Sequence, residues 1–499
     1  VTSSKENSMY LSNRYKHISR ISFMVLPVLA LLSFSAMAQE YSTPPVEPSA
    51  PATSHDEPVQ GAPAAKGVKL SEALRMAYLN NPALNSGRAD LLATQESLPQ
   101  AQAGWKPLIT ADADVTNNDT SGGGGSDSND TSKGVGLTLN QPVYRGGRTI
   151  AQSGSARYLI KARAEILRSQ EQDVFERATT AYMDVLRDSA LLDLRRQNQD
   201  LLSRQLKATR DRFEVGELTK TDVSQSEARY AGAEADVIDA TGNLNATRAV
   251  FMQIIGLAPD GLAPPDIILT LPETLEEAVA QAEENSPLVL AAENLHLSSE
   301  KDIDTVFGEL LPQVGFFTSV DKAYDPPGGI SGDRTNRAIG LEASIPLYEA
   351  GAVRSRVRQA KHAANSRYLD IMDAKRQARE AAVRNWEDLM AARAQIDSRE
   401  AQVKAARIAQ EGVKQEAEFG ARSVLDALDA DQELLDAEVA LVVARRDEVV
   451  ARFALMAALG KLTPETLGFG NDAINLDGNL NAIQRKIFDM DVDRVGHSG

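Results

Sequence analysis

Asp426 and Asp429 stand three positions apart in a stretch of helical composition, so their carboxylates fall on one helix face. Such a pair can attract cations. Asp431 and Glu433 follow closely, and a solvated acidic face fits the same spacing. Repeated by three copies about an axis, the pair would instead form two stacked acidic rings. No other constellation points to chemistry. The histidines at 17, 55, 296, 362 and 497 are scattered and form no His-x-x-x-His pair. There is no Gly-x-Ser-x-Gly, no Gly-x-x-x-x-Gly-Lys and no cysteine nucleophile. The chain therefore reads as no enzyme, with no cofactor and no metal. Its net charge of −17 argues against a nucleic-acid partner.

The elements that would carry these aspartates are long helices. From Arg148 to Val215, and again from Ala352 to Phe419, there is no proline. At 1.5 Å per residue each run could reach about 100 Å. Each ends in a turn signal, Phe213-Glu-Val-Gly216 or Glu418-Phe-Gly420, with glycine where a positive φ is tolerated. Thr219 and Ser423 are positioned to cap the helices that follow. The first of these is expected over Thr219 to Ile255, and a further helix over Leu70 to Ala103. Val185, Leu192, Leu206 and Phe213 share one seven-residue seam, interrupted by Gln199; Leu194, Leu201, Ala208 and Val215 share another. The seams lie on nearly opposite sides, so the helix should have a neighbour on each side, as in a curved wall.

What launches the long helices is a repeated strand. Gly134 to Gly147 is echoed by Ala338 to Gly351 about 204 positions later, with Pro142, Tyr144 and Gly147 answered by Pro346, Tyr348 and Gly351. Leu70-Ser-Glu-Ala-Leu74 matches Leu275-Glu-Glu-Ala-Val279, and Trp105-Lys-Pro-Leu108 matches Leu310-Leu-Pro-Gln313. A period so long marks a duplicated half rather than a solenoid unit. Four strands alternate with period two. Ile109, Ala111, Ala113 and Val115 share a face; so do Val135, Leu137 and Leu139; so do Val314, Phe316 and Val320; so do Ile339, Leu341, Ala343 and Ile345. Polar loops are expected over 117–133 and 321–336. Segments of this length with one apolar and one polar face have the pattern of outer-membrane barrel strands. Four cannot close a barrel, for which about eight is the minimum, and an open sheet in lipid leaves unsatisfied edges. Several protomers must then share one barrel, and three would supply twelve strands. Trp105, Tyr144 and Tyr348 at the strand ends suit membrane-interface aromatics, and ordinary junction packing equally well.

The start of the chain has a basic patch, an apolar run from Ile21 to Leu32, and Ala36-Met-Ala38 before Gln39, the pattern of a secretory signal peptide over 1–38. Val1 reads as a non-standard start, with Met9 as an alternative. A Pro/Ala-rich flexible leader follows over 39–67, then two repeats over 68–271 and 272–468, then a disordered periplasmic tail over 469–499.

Together the duplicated plan, Gln141-Pro-Val-Tyr-Arg-Gly-Gly147 with Ile345-Pro-Leu-Tyr-Glu-Ala-Gly351, and the turns Arg212 to Asp222 and Glu418 to Asp429 resemble the outer membrane efflux protein family, the TolC-like channel-tunnels. The resemblance covers residues 68–468. Without a cysteine to carry a lipid, the chain looks like the non-lipidated type I secretion branch. The resemblance implies an α+β membrane protein: a twelve-stranded transmembrane β-barrel shared by a homotrimer in outer membrane lipid, continued by a long α-helical barrel through the periplasm of a Gram-negative bacterium. It implies docking to a periplasmic adaptor (membrane fusion) protein and to an inner-membrane ABC or proton-driven transporter. By position, Asp426 and Asp429 resemble aspartates at the tightest inner constriction. Arg422 resembles an arginine that ties the closed gate, with Thr221 and Asp222 as its partners. Val215, Gly216, Glu217, Phe419, Gly420 and Ala421 resemble adaptor-docking tips. Where the family pattern has a gate tyrosine, this chain has Ala417, which implies a smaller gate network. The competing reading is a secreted coiled-coil scaffold or adhesin without a pore, which has no need of four matched strands.

Overall fold

The computed structural model describes residues 67–120, 128–259, 261–324, 332–419 and 421–470. The signal peptide, the leader up to residue 66, Gly420 and the tail from residue 471 lie outside the described residues.

Where one helix was expected over Leu70 to Ala103, three form: α1 (Leu70–Asn80), α2 (Pro82–Gln95) and α3 (Ser97–Gln102), closed by a single 3₁₀ turn at Ala103–Trp105. Pro82 is the cause of the first break. It bars Asn81 from the helical region, and Asn81 sits at ψ 120. Its side-chain oxygen then accepts from the Ala83 and Leu84 amides, capping α2. Pro99 cannot donate to the Gln95 carbonyl, and α2 ends there. In the second half, Pro287 likewise separates α6 (Leu275–Asn285) from α7 (Pro287–Phe307).

The strands are β1 (Leu108–Thr120), β2 (Ser128–Arg145), β3 (Gln313–Tyr324) and β4 (Arg334–Ser344), all antiparallel in the order β1-β2-β3-β4. Pairing runs on from Val115 to Thr120 opposite Ser128, so the first loop is shorter than its polar composition suggested. Hydropathy does not limit a ladder whose backbone partners continue. Ile345, expected in the last strand, falls outside β4, because this edge strand has no second partner to hold it past Ser344. β2 runs further because β3 pairs with it, at the cost of a bulge between Pro142 and Tyr144.

Register aligns the faces. Ile109, Leu139, Thr318 and Ile339 form one rung, and Ala111, Leu137, Val320 and Arg337 the next. The opposite face carries Asp112, Gly136, Asp321 and Asn336, then Thr110, Thr138, Ser319 and Ala338. The apolar face is uncovered: Ile109, Val115, Leu137, Ile339 and Leu341 are all exposed. The large apolar side chains Leu108 and Phe317 interrupt the polar character of the other face, and Phe317 lies across Gly340.

From the sheet run α4 (Arg148–Glu214) and α8 (Ala352–Glu418), 67 residues each. They are followed by α5 (Lys220–Ile255) and α9 (Val424–Ala458). These bounds agree with the proline-free runs. The sharp exit from β2 needs Gly146 at φ 64 and Gly147 at φ 74. On α4 the first seam is buried at Val185, Leu192 and Leu206, while Phe213 near its end is exposed. The second seam is left half-covered at Leu194 and Leu201 and open at Ala208 and Val215.

The main core lies where α1 and α2 cross the middle of α4. Tyr78 stacks on Phe175 at 5.8 Å, and Phe469 meets Phe175 edge-on at 5.7 Å. Phe469, which the sequence placed at the start of the tail, is therefore buried. The Tyr182 hydroxyl contacts the carbonyls of Val68 (2.8 Å) and Ala263 (2.6 Å), tying the segment before α1 and the inter-repeat segment to α4.

Candidate functional site

The two turns joining α4 to α5 and α8 to α9 are built alike from local rules. α4 ends with Gly216 at φ 80, and the Glu217 amide donates back to the Arg212 carbonyl at 2.9 Å. This reversed bond satisfies one of the last orphan carbonyls of the helix. The Ala421 amide does the same to the Glu416 carbonyl at 2.8 Å. Each next helix opens with a reciprocal cap. Thr219 Oγ1 accepts from the Asp222 amide at 3.3 Å, while Asp222 Oδ2 accepts from the Thr219 amide at 2.8 Å and from its hydroxyl at 2.7 Å. Ser423 and Asp426 repeat the arrangement at 3.1, 3.0 and 2.8 Å.

Asp222 and Asp426 thus do the same structural work. Hydrogen bonds from the capping hydroxyl, and then from the capping amide, hold both carboxyls below the usual range. Asp426 consequently stays ionised in mildly acid solution. Its bonds all engage Oδ2, so Oδ1 accepts none among the described residues. Asp429, one turn on, is bound differently. Arg229 of α5 donates to its Oδ1 at 2.5 Å, linking the two halves of the chain. Asp431 is no part of a solvated acidic face. It is buried and takes Lys414 at 2.8 Å and Gln410 at 2.7 Å.

Arg422 donates to Glu416 on its own turn at 2.9 Å. Within one protomer it does not meet Thr221 or Asp222; Thr221 is exposed and Asp222 is held by Thr219. Arg212 clasps Glu217 across the first turn at 3.1 Å, with the charge order reversed. Val215 is 72% exposed and Phe419 88%, so both tips carry bare apolar surface. Glu217 and Ala421 are exposed beside them, and Gly420 lies outside the described residues. Among the described residues no group of three metal-ligating side chains is placed to hold an ion.

Trp105 before β1, Tyr144 in β2 and Tyr348 after β4 all lie at the helix end of the sheet and are exposed, with Gln141 Nε2 donating to the Trp105 carbonyl at 2.9 Å. Arg229 and Glu416 were not picked out by sequence reasoning. Glu416 had no readable signal. The reciprocal role of Asp222 and Asp426 did: an acid three places after a capping hydroxyl, twice.

Comparison with known proteins bears on this arrangement. The profile of the family described as outer membrane efflux protein matches residues 73–257 and 278–461. The outer membrane efflux protein BepC of Brucella suis biovar 1 is 31% identical over 427 residues, covering 86% of this chain and 93% of that protein. The outer membrane protein TolC of Vibrio cholerae is 26% identical over 406 residues, covering 79% of this chain and 91% of the relative. The crystal structure of the outer membrane protein VceC of Vibrio cholerae superposes with a TM-score of 0.67 at 19% identity, over 78% of this chain and 96% of that one.

Proposed function

The chain belongs to the outer membrane efflux protein family and is an outer membrane channel with a periplasmic tunnel, and from that premise we propose that three copies close one twelve-stranded barrel and act as the passive exit duct of a tripartite efflux or type I secretion system. The observation that carries this reading is the sheet. It has four strands, two open edges and one exposed apolar face. Backbone groups at an open edge cost several kcal/mol each in lipid, so the edges must meet those of further copies. The long helices then continue the wall away from the membrane. No bond is made or broken in the duct itself; the energy for export comes from an inner-membrane ABC or proton-driven transporter, linked by a periplasmic adaptor.

The inner turns are the gate in this reading. Asp426 and Asp429 repeated threefold give two stacked acidic rings that favour cations in a narrow aperture. Arg422, Thr221 and Asp222 constrain the closed state, with Ala417 contributing no polar tie. The ion pairs seen here are exposed, Arg422 with Glu416 and Arg229 with Asp429. Each is worth under about 1 kcal/mol. An adaptor docking on Val215, Gly216, Glu217, Phe419, Gly420 and Ala421 can therefore exchange them for its own contacts. Trp105, Tyr144 and Tyr348 mark the inner membrane-water boundary of the barrel.

Conductance across planar bilayers tests the proposal. Purified trimer should pass a cation-selective current. Asp426→Ala with Asp429→Ala should move the reversal potential toward zero in a salt gradient. An absent current would remove the duct, and an unchanged reversal potential would remove the rings.

A further inference from the structure

The apolar face of the sheet ends in cations at the hairpin end, away from the helices. Register places Lys133 opposite Tyr324, Val135 opposite Lys322, and Val320 opposite Arg337, all on the face that carries Leu137 and Ile339. The Lys322 ammonium lies 4.4 Å from the centre of the Tyr324 ring and 3.1 Å from the Asp333 carboxylate. Lys133 and Arg337 are exposed and have no ion-pair partner among the described residues. The nearest acid on β1, Asp119, lies two rungs further out.

The height of this cluster says what it meets. Val314 pairs with Tyr144 at the inner aromatic level. Tyr324 is ten residues along the same strand, which is about 33 Å at about 3.3 Å per residue. With strands tilted by about 40°, that is about 25 Å of depth, the height of the apolar band of an outer-membrane barrel. Lys133, opposite Tyr324, therefore stands where hydrocarbon gives way to headgroups, while Lys322 lies one rung deeper and Arg337 two, about 5 and 10 Å below it, so these two long side chains must rise along the barrel wall to reach that level. A cation at that boundary finds its counter-charge in a phosphate, and an arginine fork suits phosphate oxygens.

We propose that Lys133, Lys322 and Arg337 form a docking surface on the lipid side of the barrel for the phosphate groups of a phosphorylated outer-leaflet glycolipid. This rests on the trimeric duct reading, which turns the apolar face outward.

The test uses the full-length trimer in neutral detergent, titrated with diphosphoryl lipid A, with its dephosphorylated form, or with inorganic phosphate. The readout is the temperature of trimer dissociation. Diphosphoryl lipid A should raise it saturably, and the other two should not. The variant K133Q/K322Q/R337Q should need at least about tenfold more lipid A for the same rise, while K133R/K322R, which keeps every charge and the Arg337 fork, should respond like the wild type. Equal responses to the phosphorylated and dephosphorylated lipid, a matching response to inorganic phosphate, or an unchanged triple variant would overturn the proposal. If the triple variant does not assemble, the wild-type arms and K133Q/R337Q decide it. Single-channel current on the same samples separates the two claims. A conducting trimer indifferent to lipid phosphate sinks only the docking surface, whereas a non-conducting monomer sinks the duct.

Discussion

Glu171 tests how this fold carries a buried charge. It sits on α4, with Tyr78 as a hydrogen-bond partner and with Arg88, Glu465 and Arg168 nearby. Burial pushes its carboxyl from 4.5 up to about 7, because lost hydration outweighs the attraction of Arg88. The native state therefore binds this proton more tightly than the unfolded chain does. The contribution to stability is complete below the unfolded value of 4.5 and is lost as pH rises through about 7. A difference of about 2.5 in pKa, at about 1.36 kcal/mol each, is about 3 kcal/mol. Water still reaches part of the carboxyl, so about 2 kcal/mol per protomer is the working figure at about pH 8. Glu171→Gln imitates the protonated form. It should stabilise the protein by that amount at about pH 8 and change little at about pH 4.5. Unfolding entropy of about 2.1 cal/mol/K per residue over roughly 400 folded residues converts 2 kcal/mol into a rise in Tm of about 2 °C. Three protomers melting together would triple both the free energy and the entropy, so the shift does not depend on oligomeric state. Far-UV circular dichroism melts of wild type and variant at the two pH values make the measurement. A lower Tm for Glu171→Gln at about pH 8 would mean that the attraction to Arg88 outweighs burial. Equal shifts at both pH values would mean that the carboxyl does not titrate between them. Either result refutes the reasoning.

Two other substitutions probe the gate and the junction. Arg229→Gln removes the partner of Asp429. With both side chains largely exposed, stability should change by under about 1 kcal/mol, while the freed carboxylate should make the channel more cation-selective; a reversal potential moving the other way would contradict the assignment. Gly146→Ala places a Cβ 2.2 Å from the Gly308 carbonyl oxygen at a φ of 64. It should abolish or strongly reduce assembled trimer in outer membrane fractions, and normal trimer levels on native gels would show that the junction yields more easily than its packing indicates.

Much of the inner turns was legible because they are made by neighbours in sequence. The end of α4 follows from Gly216, and the starts of α5 and α9 from Thr219 and Ser423, because a positive φ and a hydroxyl cap are local requirements. What lay across the molecule was not legible. Asp429 could be read as an open ring carboxylate, and Asp431 as part of a solvated face, because nothing nearby in sequence announces Arg229 or Lys414. Ala421 and Arg422 both turn back on Glu416, a residue with no motif of its own. Phe469 looked like the start of a tail because its partners, Tyr78 and Phe175, lie hundreds of residues away.

By itself the chain's order of residues determined where the long helices begin and end, which residues cap them, and which side of each strand is apolar. These depend on backbone preference and period, each settled within a few positions. The tertiary structure alone decided that the four apolar sides fall on one uncovered face, that β4 stops at Ser344, and that Asp429 is tied by Arg229 of the other half. The longest-range register pairs and ion pairs join residues about 200 or more positions apart. Such pairings exist only once the backbone has brought both partners to the same place, because chain closure over that distance is set by the whole fold and not by either segment.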